Sequence, residues 1–260
     1  MRVAVIQMDV MQGDLNANMA AVEDHVQALA RSASPPDVIT LPELWSTGYA
    51  LGEAKALASP GGMREMQFLA GLAKKYRVAF AGGSVLALDK KSVFNRALVI
   101  NNKGELVASY DKIHLFRPMD EHRWLAFGSQ RVLFDFFGMR CACVICYDIR
   151  FPELIRRLAL DGAEALFVCA EWPAPRIDQW EALLRARAVE NQMIVVACNR
   201  CGTSADTHFG GRSLIIAPDG KILARCGDGQ ERCCAEVDEC FPSALRASFP
   251  VFIDRRPEAY

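Results

Sequence analysis

The sequence predicts an α/β protein in which two mixed β-sheets pack together and helices cover their outer faces. Three observations predict this fold class. Apolar runs of strand length alternate with segments whose apolar residues recur every three or four positions. Hairpin patterns interrupt the alternation, so each sheet should contain antiparallel as well as parallel neighbours. The pattern also occurs twice along the chain, and no linker rich in Gly, Ser or Pro separates the two cycles.

The first cycle opens with a strand and an amphipathic helix. The helix is predicted by Met19, Val22, Val26 and Leu29, which follow the apolar run 3–8 at helical spacing. A hairpin ends the cycle, because two apolar runs flank the turn at residues 101–104. In order, we predict strand 3–8, helix 19–29, strand 37–41, helix 63–76, strand 78–82 closed by Gly82-Gly83, and hairpin strands 95–100 and 105–110.

The second cycle repeats the alternation of strands and helices. Pro152 is placed at a helix start, since proline has no N–H and the first turn needs none. The sequence Pro-Asp-Gly-Lys at 218–221 predicts a turn between two strands. In order, we predict strands 131–136 and 139–145, helix 152–160, strand 165–169, helix 177–191, and strands 194–197, 213–217, 222–225 and 233–237.

Residues 1–240 are therefore expected to form one domain and residues 241–260 a C-terminal tail. The tail combines aromatic residues, among them Phe249 and Phe252, with Arg246 and no clear period. This composition suits a segment that packs on the domain or on a partner subunit. A frayed end is the alternative, because chain termini are often poorly ordered unless they are docked.

Composition and charge exclude several classes of function. The 260 residues carry 30 Lys and Arg against 31 Asp and Glu, which leaves no basic surface for nucleic acid or for an anionic membrane. No apolar run reaches the ~20 residues that cross a bilayer, and the apolar start is too short for a signal peptide. The ten cysteines lie mostly in apolar runs, as small buried residues do in reduced proteins. We expect a soluble, cytoplasmic protein.

Three reactive side chains follow the ends of predicted strands. They are Glu43 in Leu-Pro-Glu, Lys112 in Tyr-Asp-Lys-Ile-His, and Cys146 in Val-Ile-Cys-Tyr-Asp. α/β folds place their sites at strand ends. A thiol attacks well only as thiolate, so it needs a base to take its proton or a cation to stabilise its charge. Glu43 and Lys112 supply these two groups, and the set predicts a hydrolytic site.

Each of the three residues has a structural alternative when taken alone. A glutamate after Leu-Pro is often a first-turn residue that the helix dipole favours. A loop lysine is most often solvated, and a cysteine in an apolar run is most often buried filling. The three together, in this order and with these neighbours, favour the catalytic interpretation.

The chain resembles the nitrilase, or carbon–nitrogen hydrolase, superfamily, whose enzymes use a Glu–Lys–Cys triad. The resemblance implies an αββα sandwich that dimerises through its helical layers, with the C-terminal tail reaching across to the partner, and it implies no cofactor or metal. One departure is visible: Glu171 precedes Trp172-Pro173 where related amidases often carry asparagine. The segments that carry the resemblance are Leu41-Pro-Glu43, Asn95-Arg96, Tyr110-Asp-Lys112-Ile-His114, Glu121 ahead of Trp124 and Gly128, Cys146 to Glu153, Trp172-Pro173 and Arg185 to Asn191.

The resemblance also implies a role for each site residue. Cys146 attacks the amide carbon while Glu43 accepts its proton, ammonia leaves, and water hydrolyses the thioester. Lys112 and the backbone N–H of Tyr147 hold the oxyanion. Glu121 is similar to the additional glutamate of these sites, which positions Lys112 or the substrate amine; a surface acid is the alternative, since charged clusters usually face solvent.

Within the superfamily, residues 116–123 and 171–176 are most similar to the ω-amidase branch. Those enzymes hydrolyse the terminal amide of 2-oxo acid monoamides such as 2-oxoglutaramate or 2-oxosuccinamate. An anionic substrate needs a cation, and Arg150 or Arg176 beside Trp172 is the natural candidate, since guanidinium binds carboxylate in a bidentate manner. Either arginine could instead pair with Asp148 or Glu153. An N-carbamoyl amidase, a deaminated-peptide amidase, a nitrilase and an acyltransferase stay open.

Other classes of site are less well supported by the sequence. Cys143-x-x-Cys146 and Cys198-x-x-Cys201 imitate a four-cysteine zinc pattern, but a strand end does not supply the tight turn of a zinc knuckle. A Cys/His site would need an imidazole, and we expect His114, two residues after Lys112, to form a structural hydrogen bond instead. No Gly-x-Ser-x-Gly elbow of a serine esterase occurs. A non-enzymatic scaffold of the same fold is the remaining alternative.

Overall fold

The computed structural model describes residues 1–259, so Tyr260, the last residue of the predicted tail, lies outside the described residues. The strands in this part of the chain are β1 (Arg2–Gln7), β2 (Val38–Thr40), β3 (Ser59–Pro60), β4 (Ala79–Asp89), β5 (Ser92–Ile100), β6 (Leu106–Asp111), β7 (Leu133–Phe136), β8 (Met139–Ile145), β9 (Ala165–Ala170), β10 (Ile194–Asn199), β11 (Cys201–Ser204), β12 (Thr207–Gly210), β13 (Leu214–Ile216), β14 (Ile222–Arg225) and β15 (Glu231–Glu236). The α-helices are α1 (Leu15–Ala30), α2 (Ala54–Leu57), α3 (Met63–Tyr76), α4 (Glu121–Trp124), α5 (Pro152–Leu160), α6 (Ile177–Asn191) and α7 (Phe241–Ser248). None of the helices in residues 1–259 has the length and apolar character to cross a membrane.

The two predicted cycles correspond to two mixed sheets. Sheet 1 has the order β15-β1-β2-β4-β5-β6, with β3 beside β4, and sheet 2 has the order β14-β13-β10-β9-β8-β7. In each sheet the central neighbours are parallel and the outer ones antiparallel. The α/β class with mixed sheets is therefore confirmed.

Alternating side chains explain how the layers stack. In β1, Val3 and Val5 belong to the apolar core between the sheets, whereas Ala4 and Ile6 pack with residues of α1 and α3 on the outer face of sheet 1. Sheet 2 is covered in the same way by α5 and α6, whose buried apolar residues join the large core. The result is the αββα sandwich that the resemblance implied.

Local signals set several helix bounds. The helices α3, α5 and α6 have the predicted bounds, and Pro152 is the first residue of α5. The first helix begins earlier than its apolar period indicates, because the Asp14 side chain accepts a hydrogen bond from the N–H of Ala17 at 3.0 Å and caps the helix at Leu15.

The prediction that a strand ends at Gly82-Gly83 is wrong. The strand β4 continues to Asp89, and its register against β5 shifts between Ala81 and Ser84. This irregularity accommodates the segment after β2: a Cβ on Gly83, whose φ is +91°, would lie 2.7 Å from the Cβ of Leu41. The glycines thus let the chain that carries Glu43 lie against β4.

The short elements β3, α2 and α4 were not predicted, and neither were the hairpin of β11 and β12 and the helix α7. The hairpin of β11 and β12 is short and rich in polar residues, so its periodicity is weak. The tail contains α7, whose Arg246 donates hydrogen bonds to the carbonyl oxygens of Ala163 at 2.6 Å and Asn191 at 3.0 Å. Gln192 donates to the carbonyl oxygen of Phe249 at 2.8 Å. The beginning of the tail therefore lies against the layer of α5 and α6.

One disulfide also departs from the sequence analysis, which predicted reduced cysteines. Cys226 and Cys233 are bonded across the turn between β14 and β15, with their Cα atoms 5.9 Å apart. Their sulfurs meet where the chain passes from β14 at the edge of sheet 2 to β15 at the edge of sheet 1, which the apolar pattern of each strand does not reveal. The other cysteines are free, and six of those, Cys146 among them, are buried.

Candidate active site

The three strand-end residues meet at one edge of the sandwich. Glu43 follows β2, Lys112 follows β6 and Cys146 follows β8. The Lys112 ammonium lies 2.7 Å from Oε1 of Glu43 and 2.7 Å from Oε1 of Glu121. All four side chains are buried. The structure thus brings together the four residues for which we predicted catalytic roles.

Neighbouring backbone and amide groups fix the Glu43 carboxylate. Its Oε1 accepts a hydrogen bond from Nδ2 of Asn95 at 2.7 Å, and its Oε2 accepts one from the N–H of Glu171 at 2.9 Å. The next residue, Leu44, has a φ of +43° and its N–H donates to Oγ of Ser84. Donors on β5 and at the end of β9 therefore aim one carboxylate at the centre of the site.

Lys112 is a permanent cation in this surrounding. Burial by itself would lower the pKa of its ammonium, but the charges of Glu121 and Glu43 outweigh burial and hold the pKa well above its ordinary value. The backbone of Lys112 is tied to the N–H of Gly128 at 2.8 Å. A Cβ on Gly128 would lie 2.0 Å from the carbonyl oxygen of Asp111, so only glycine fits beside this loop.

Glu121 is not a surface acid. It is fully buried at the start of α4, its Oε2 accepts a hydrogen bond from the N–H of Phe116 at 2.8 Å, and its Oε1 accepts from the hydroxyl of Tyr49 as well as from Lys112. Burial raises the pKa of Glu121, and the nearby Lys112 opposes the rise. Glu121 therefore holds the Lys112 ammonium together with Glu43.

Cys146 stands on a tight turn at the end of β8. Its φ is +46°, a region that non-glycine residues rarely adopt and that is often found at functional sites. The buried carboxylate of Asp148 stabilises the turn. Its Oδ2 accepts hydrogen bonds from the N–H of Ile145 at 3.0 Å and the hydroxyl of Tyr110 at 2.7 Å, and its Oδ1 lies 3.0 Å from the N–H and 2.8 Å from Nδ1 of His114.

The thiol of Cys146 is protonated at rest. Burial and the charge of Glu43 raise its pKa well above its ordinary value, while the charge of Lys112 acts in the opposite direction. A thiol in this state attacks only if a base removes its proton as the new bond forms. The carboxylate of Glu43 is the base that the geometry offers.

A cavity opens onto Cys146. Tyr147, Arg150, Trp172 and Arg176, our predicted oxyanion and substrate-binding residues, all line it. The guanidinium of Arg150 lies 4.7 Å from the ring centre of Trp172, and that of Arg176 lies 5.4 Å from the ring centre of Phe116.

The alternative roles that we considered for the two arginines are not found. Among residues 1–259, neither Arg150 nor Arg176 forms an ion pair with Asp148, Glu153 or any other carboxylate. Arg150 donates instead to the neutral Gln179 at 2.6 Å. Two cations therefore stand at the cavity with no anion to balance them.

Sequence reasoning missed Glu171 as a functional residue, although the departure from asparagine was a signal. Glu171 also lines the cavity, and only 1% of its surface is exposed. Its Oε2 accepts a hydrogen bond from Nη1 of Arg200 at 3.0 Å, while its Oε1 has no hydrogen-bond partner within residues 1–259. Arg200 lies after β10, far from Glu171 in the sequence, so no local pattern could show this pair.

The rival arrangements are not assembled. In residues 1–259 the four cysteines of the zinc-like pattern do not come together closely enough to hold a metal ion, and the group that does cluster contains Cys226 and Cys233, which are bonded to each other. His114 is hydrogen bonded to Asp148 and stacks on Phe151, with ring centres 3.6 Å apart. It therefore serves the structural role that we expected.

Comparison with known proteins agrees with this geometry. A model of the carbon-nitrogen hydrolase family matches residues 2–240. The chain is 40% identical to a 2-oxoglutaramate amidase of Bacillus subtilis (99% of this chain, 98% of the relative) and 34% identical to the omega-amidase YafV of Escherichia coli K12 (98% and 96%). Its structure is similar to that of XC1258, a CN-hydrolase superfamily protein of Xanthomonas campestris, with a TM-score of 0.90 at 28% identity over 98% of this chain and 97% of that one. It is also similar to the structure of Nit3 of Saccharomyces cerevisiae, a nitrilase superfamily member, with a TM-score of 0.90 at 27% identity over 100% of this chain and 97% of that one. The chain therefore belongs to the carbon-nitrogen hydrolase family, whose enzymes hydrolyse carbon–nitrogen bonds other than peptide bonds.

Proposed function

We propose that this protein is an ω-amidase that hydrolyses the terminal amide of a small 2-oxo dicarboxylic acid monoamide, such as 2-oxoglutaramate or 2-oxosuccinamate. One observation carries the proposal. A buried thiol, a carboxylate and an ammonium meet at a cavity that also presents Arg150 and Arg176 without anionic partners. The cavity thus combines amide-cleaving groups with cations that suit a substrate carboxylate.

In the first half of the proposed reaction, Sγ of Cys146 attacks the amide carbon while Glu43 accepts the thiol proton. The carbonyl oxygen becomes an oxyanion, which the ammonium of Lys112 and the N–H of Tyr147 stabilise. The tetrahedral intermediate collapses when the protonated Glu43 gives its proton to the amide nitrogen. Ammonia leaves and a thioester remains. Removal of one oxyanion donor typically costs about 10²–10³ in rate.

In the second half, water takes the place of ammonia. Glu43 accepts a proton from the water as its oxygen attacks the thioester carbon, and the same two donors hold the new oxyanion. The carbon–sulfur bond then breaks, and the proton returns to Cys146. The carboxylic acid product ionises and leaves. Glu121 keeps the Lys112 ammonium in place throughout, since its Oε1 lies 2.7 Å from Nζ.

The choice of substrate depends on charge as well as on similarity. Both relatives cited above carry names of amidases that act on ω-amides. In this chain the two arginines would bind the distal carboxylate, and the stacking of Arg150 on Trp172 would keep its planar guanidinium in a fixed orientation. The distal carboxylate would lie at the mouth of the cavity and the amide beside Cys146.

We further propose that residues 1–240 act as one catalytic domain in a cytoplasmic homodimer or higher homo-oligomer, without a nucleic-acid, membrane or cofactor partner. The tail supports a dimer: Phe249 is 65% exposed and Ile253 83% exposed, and Val189 on α6 is 51% exposed. Exposed apolar residues next to one another mark protein contacts. Light scattering of the full chain would give the oligomer mass, and a monomer at micromolar concentration would contradict this part of the proposal.

The decisive experiment is a panel of amides and a nitrile scored for ammonia release. We expect turnover of 2-oxoglutaramate well above that of glutamine, propionamide, an N-carbamoyl amino acid and propionitrile, and none with Cys146→Ala. Arg150→Gln and Arg176→Gln should raise KM for 2-oxoglutaramate and leave propionamide turnover unchanged. Arg140→Gln, which changes an exposed arginine paired with Asp135, is the matched control. Preference for any other member of the panel would overturn the substrate, and full activity of Cys146→Ala would overturn the mechanism.

A further inference from the structure

Glu171 carries the one carboxyl group among the described residues that line the cavity, and the proposed mechanism does not use it. Its Oε1 is buried, lacks a hydrogen-bond partner within the described residues and belongs to a residue that lines the cavity beside Cys146. Buried polar atoms are nearly always paired, so an unpaired carboxyl oxygen at a cavity indicates a missing ligand. The N–H of the same residue holds Oε2 of Glu43, which fixes Glu171 relative to the base.

Charge around Arg200 determines the state of this carboxyl. The buried guanidinium donates to Oε2 of Glu171 at 3.0 Å, to Oδ1 of Asp9 at 2.8 Å and to the carbonyl oxygen of Cys201 at 3.2 Å. One cation thus lies between two carboxylates. Asp9 alone balances its charge, so Glu171 can be neutral without leaving Arg200 unpaired.

The remaining charges near Glu171 come from the catalytic centre. Burial raises the pKa of Glu171 to about 8; Glu43 adds to the rise, while Arg200 and Lys112 oppose it. Arg150 and Arg176 lie at the same cavity and would oppose it too. The carboxyl is therefore mainly protonated at neutral pH. Because Oε2 accepts from Arg200, the proton belongs on Oε1, which is the oxygen without a partner.

We propose that Glu171 is a specificity-determining residue whose protonated Oε1 donates a hydrogen bond to the 2-oxo oxygen of the substrate. This inference rests on the ω-amidase function proposed above. The distal carboxylate is assigned to the arginines and the amide to Cys146, so the 2-oxo oxygen is the substrate acceptor left for a donor on the cavity wall. Asparagine, which related amidases often carry here, is shorter and has no titrating proton.

The proposal gives a quantitative expectation for substrate choice. Glutaramate has the amide and the carboxylate of 2-oxoglutaramate but lacks the 2-oxo group, so it would leave Oε1 unpaired. A buried donor left without its acceptor typically costs about 10- to 100-fold in affinity. The ratio of kcat/KM for 2-oxoglutaramate to that for glutaramate should therefore be about 10 to 100 below pH 7 in the wild-type enzyme.

Two variants test the assignment. Glu171→Gln retains an oxygen for Arg200 and places an N–H donor where Oε1 was, so it should keep the preference for the oxo substrate. Glu171→Met has nearly the same volume but no donor, and it should bring the ratio to about 1 while glutaramate turnover persists. A Met variant that still prefers the oxo substrate as strongly as the wild type would overturn the proposal.

A pH series makes the test independent of the Met variant, which loses the partner of Arg200 and could fail to fold. The ratio of kcat/KM for the two substrates cancels the titration of Cys146, Glu43 and Lys112, because both substrates need the same catalytic groups. In the wild type this ratio should fall as pH rises through about 8, where Glu171 loses its proton, and in Glu171→Gln it should stay constant. A constant wild-type ratio, or the same fall in both enzymes, would overturn the proposal.

Failure of the inference can be told apart from failure of the proposed function. If 2-oxoglutaramate and glutaramate are both hydrolysed at rates that depend on Arg150 or Arg176, the ω-amidase function stands whatever their ratio. If neither is hydrolysed while another amide is, the function itself is wrong, and the assignment of Glu171 falls with it.

Discussion

The substitution Asp148→Asn tests how strongly the turn at Cys146 depends on one buried carboxylate. Each of its two oxygens has two nitrogen or hydroxyl partners, from Ile145, Tyr110 and His114. Asparagine offers one oxygen in either orientation. Its NH₂ group then faces a backbone N–H, that of Ile145 or that of His114, from which it cannot accept, so at least one hydrogen bond is lost whichever way the amide turns.

The magnitude follows from the kind of bond that is lost. A buried hydrogen bond to a charged group contributes about 1.5–3 kcal/mol, so the lost bond costs about 1.5–3 kcal/mol of the free energy of unfolding. That is a large share of the ~5–15 kcal/mol that stabilises a typical domain. The left-handed conformation of Cys146 depends on this support, and a thiol displaced by ~1 Å would lower kcat about 10²-fold.

Urea unfolding, kcat and the rate of Cys146 alkylation by iodoacetamide, followed by peptide mass spectrometry, measure these effects. Asp135→Asn is the matched control, because Asp135 also accepts two hydrogen bonds, from the exposed Arg140 at 3.0 Å each. An exposed pair contributes about 0–1 kcal/mol, so the control should stay close to the wild type. If Asp148→Asn unfolds within ~1 kcal/mol of the wild type and keeps kcat within about threefold, the carboxylate does not support the turn as argued.

Three further predictions concern other parts of the molecule. Lys112→Met should leave the two buried carboxylates of Glu43 and Glu121 without their shared cation, which should destabilise the fold by about 3–5 kcal/mol. It should also lower kcat by more than about 10²-fold, and unchanged ammonia release would contradict the oxyanion role of Lys112. Gly128→Ala, whose Cβ would lie 2.0 Å from a carbonyl oxygen, should lower the melting temperature by several degrees. Gly71→Ala is the control, because a Cβ at this position of α3 meets no other atom, and it should raise the melting temperature slightly. Equal shifts in the two variants would contradict the claim that crowding requires glycine at position 128. The pKa of Glu171 is higher in the folded than in the unfolded protein, so the folded state binds a proton more tightly. The stabilisation from this proton should be complete below pH ~4.5 and disappear as pH rises through about 8. Urea titrations at several pH values should show this loss in the wild type and not in Glu171→Gln.

The sequence by itself determined the fold class and the identity of the reactive side chains. Strand and helix periods are local, so they predicted α3, α5 and α6 with the bounds that the structure has. Strand ends are local too, which is why Glu43 and Cys146 stood out. The resemblance supplied the order of events at the site, and the catalytic roles of these residues stay predictions until the variants are measured.

Tertiary structure decided what depends on residues far apart in the chain. The passage of β4 through Gly82-Gly83 is set by the backbone of the Glu43 segment, and the disulfide between Cys226 and Cys233 is set by the turn that carries the chain from sheet 2 to sheet 1. The protonation of Glu171 depends on Arg200, 29 positions later, and on exclusion of water from both. The periodicity of the sequence indicates which face of a helix or strand is apolar. It does not indicate which charged side chains meet when those faces are buried, because the interaction energy between the charges becomes large only after folding has removed the water around them.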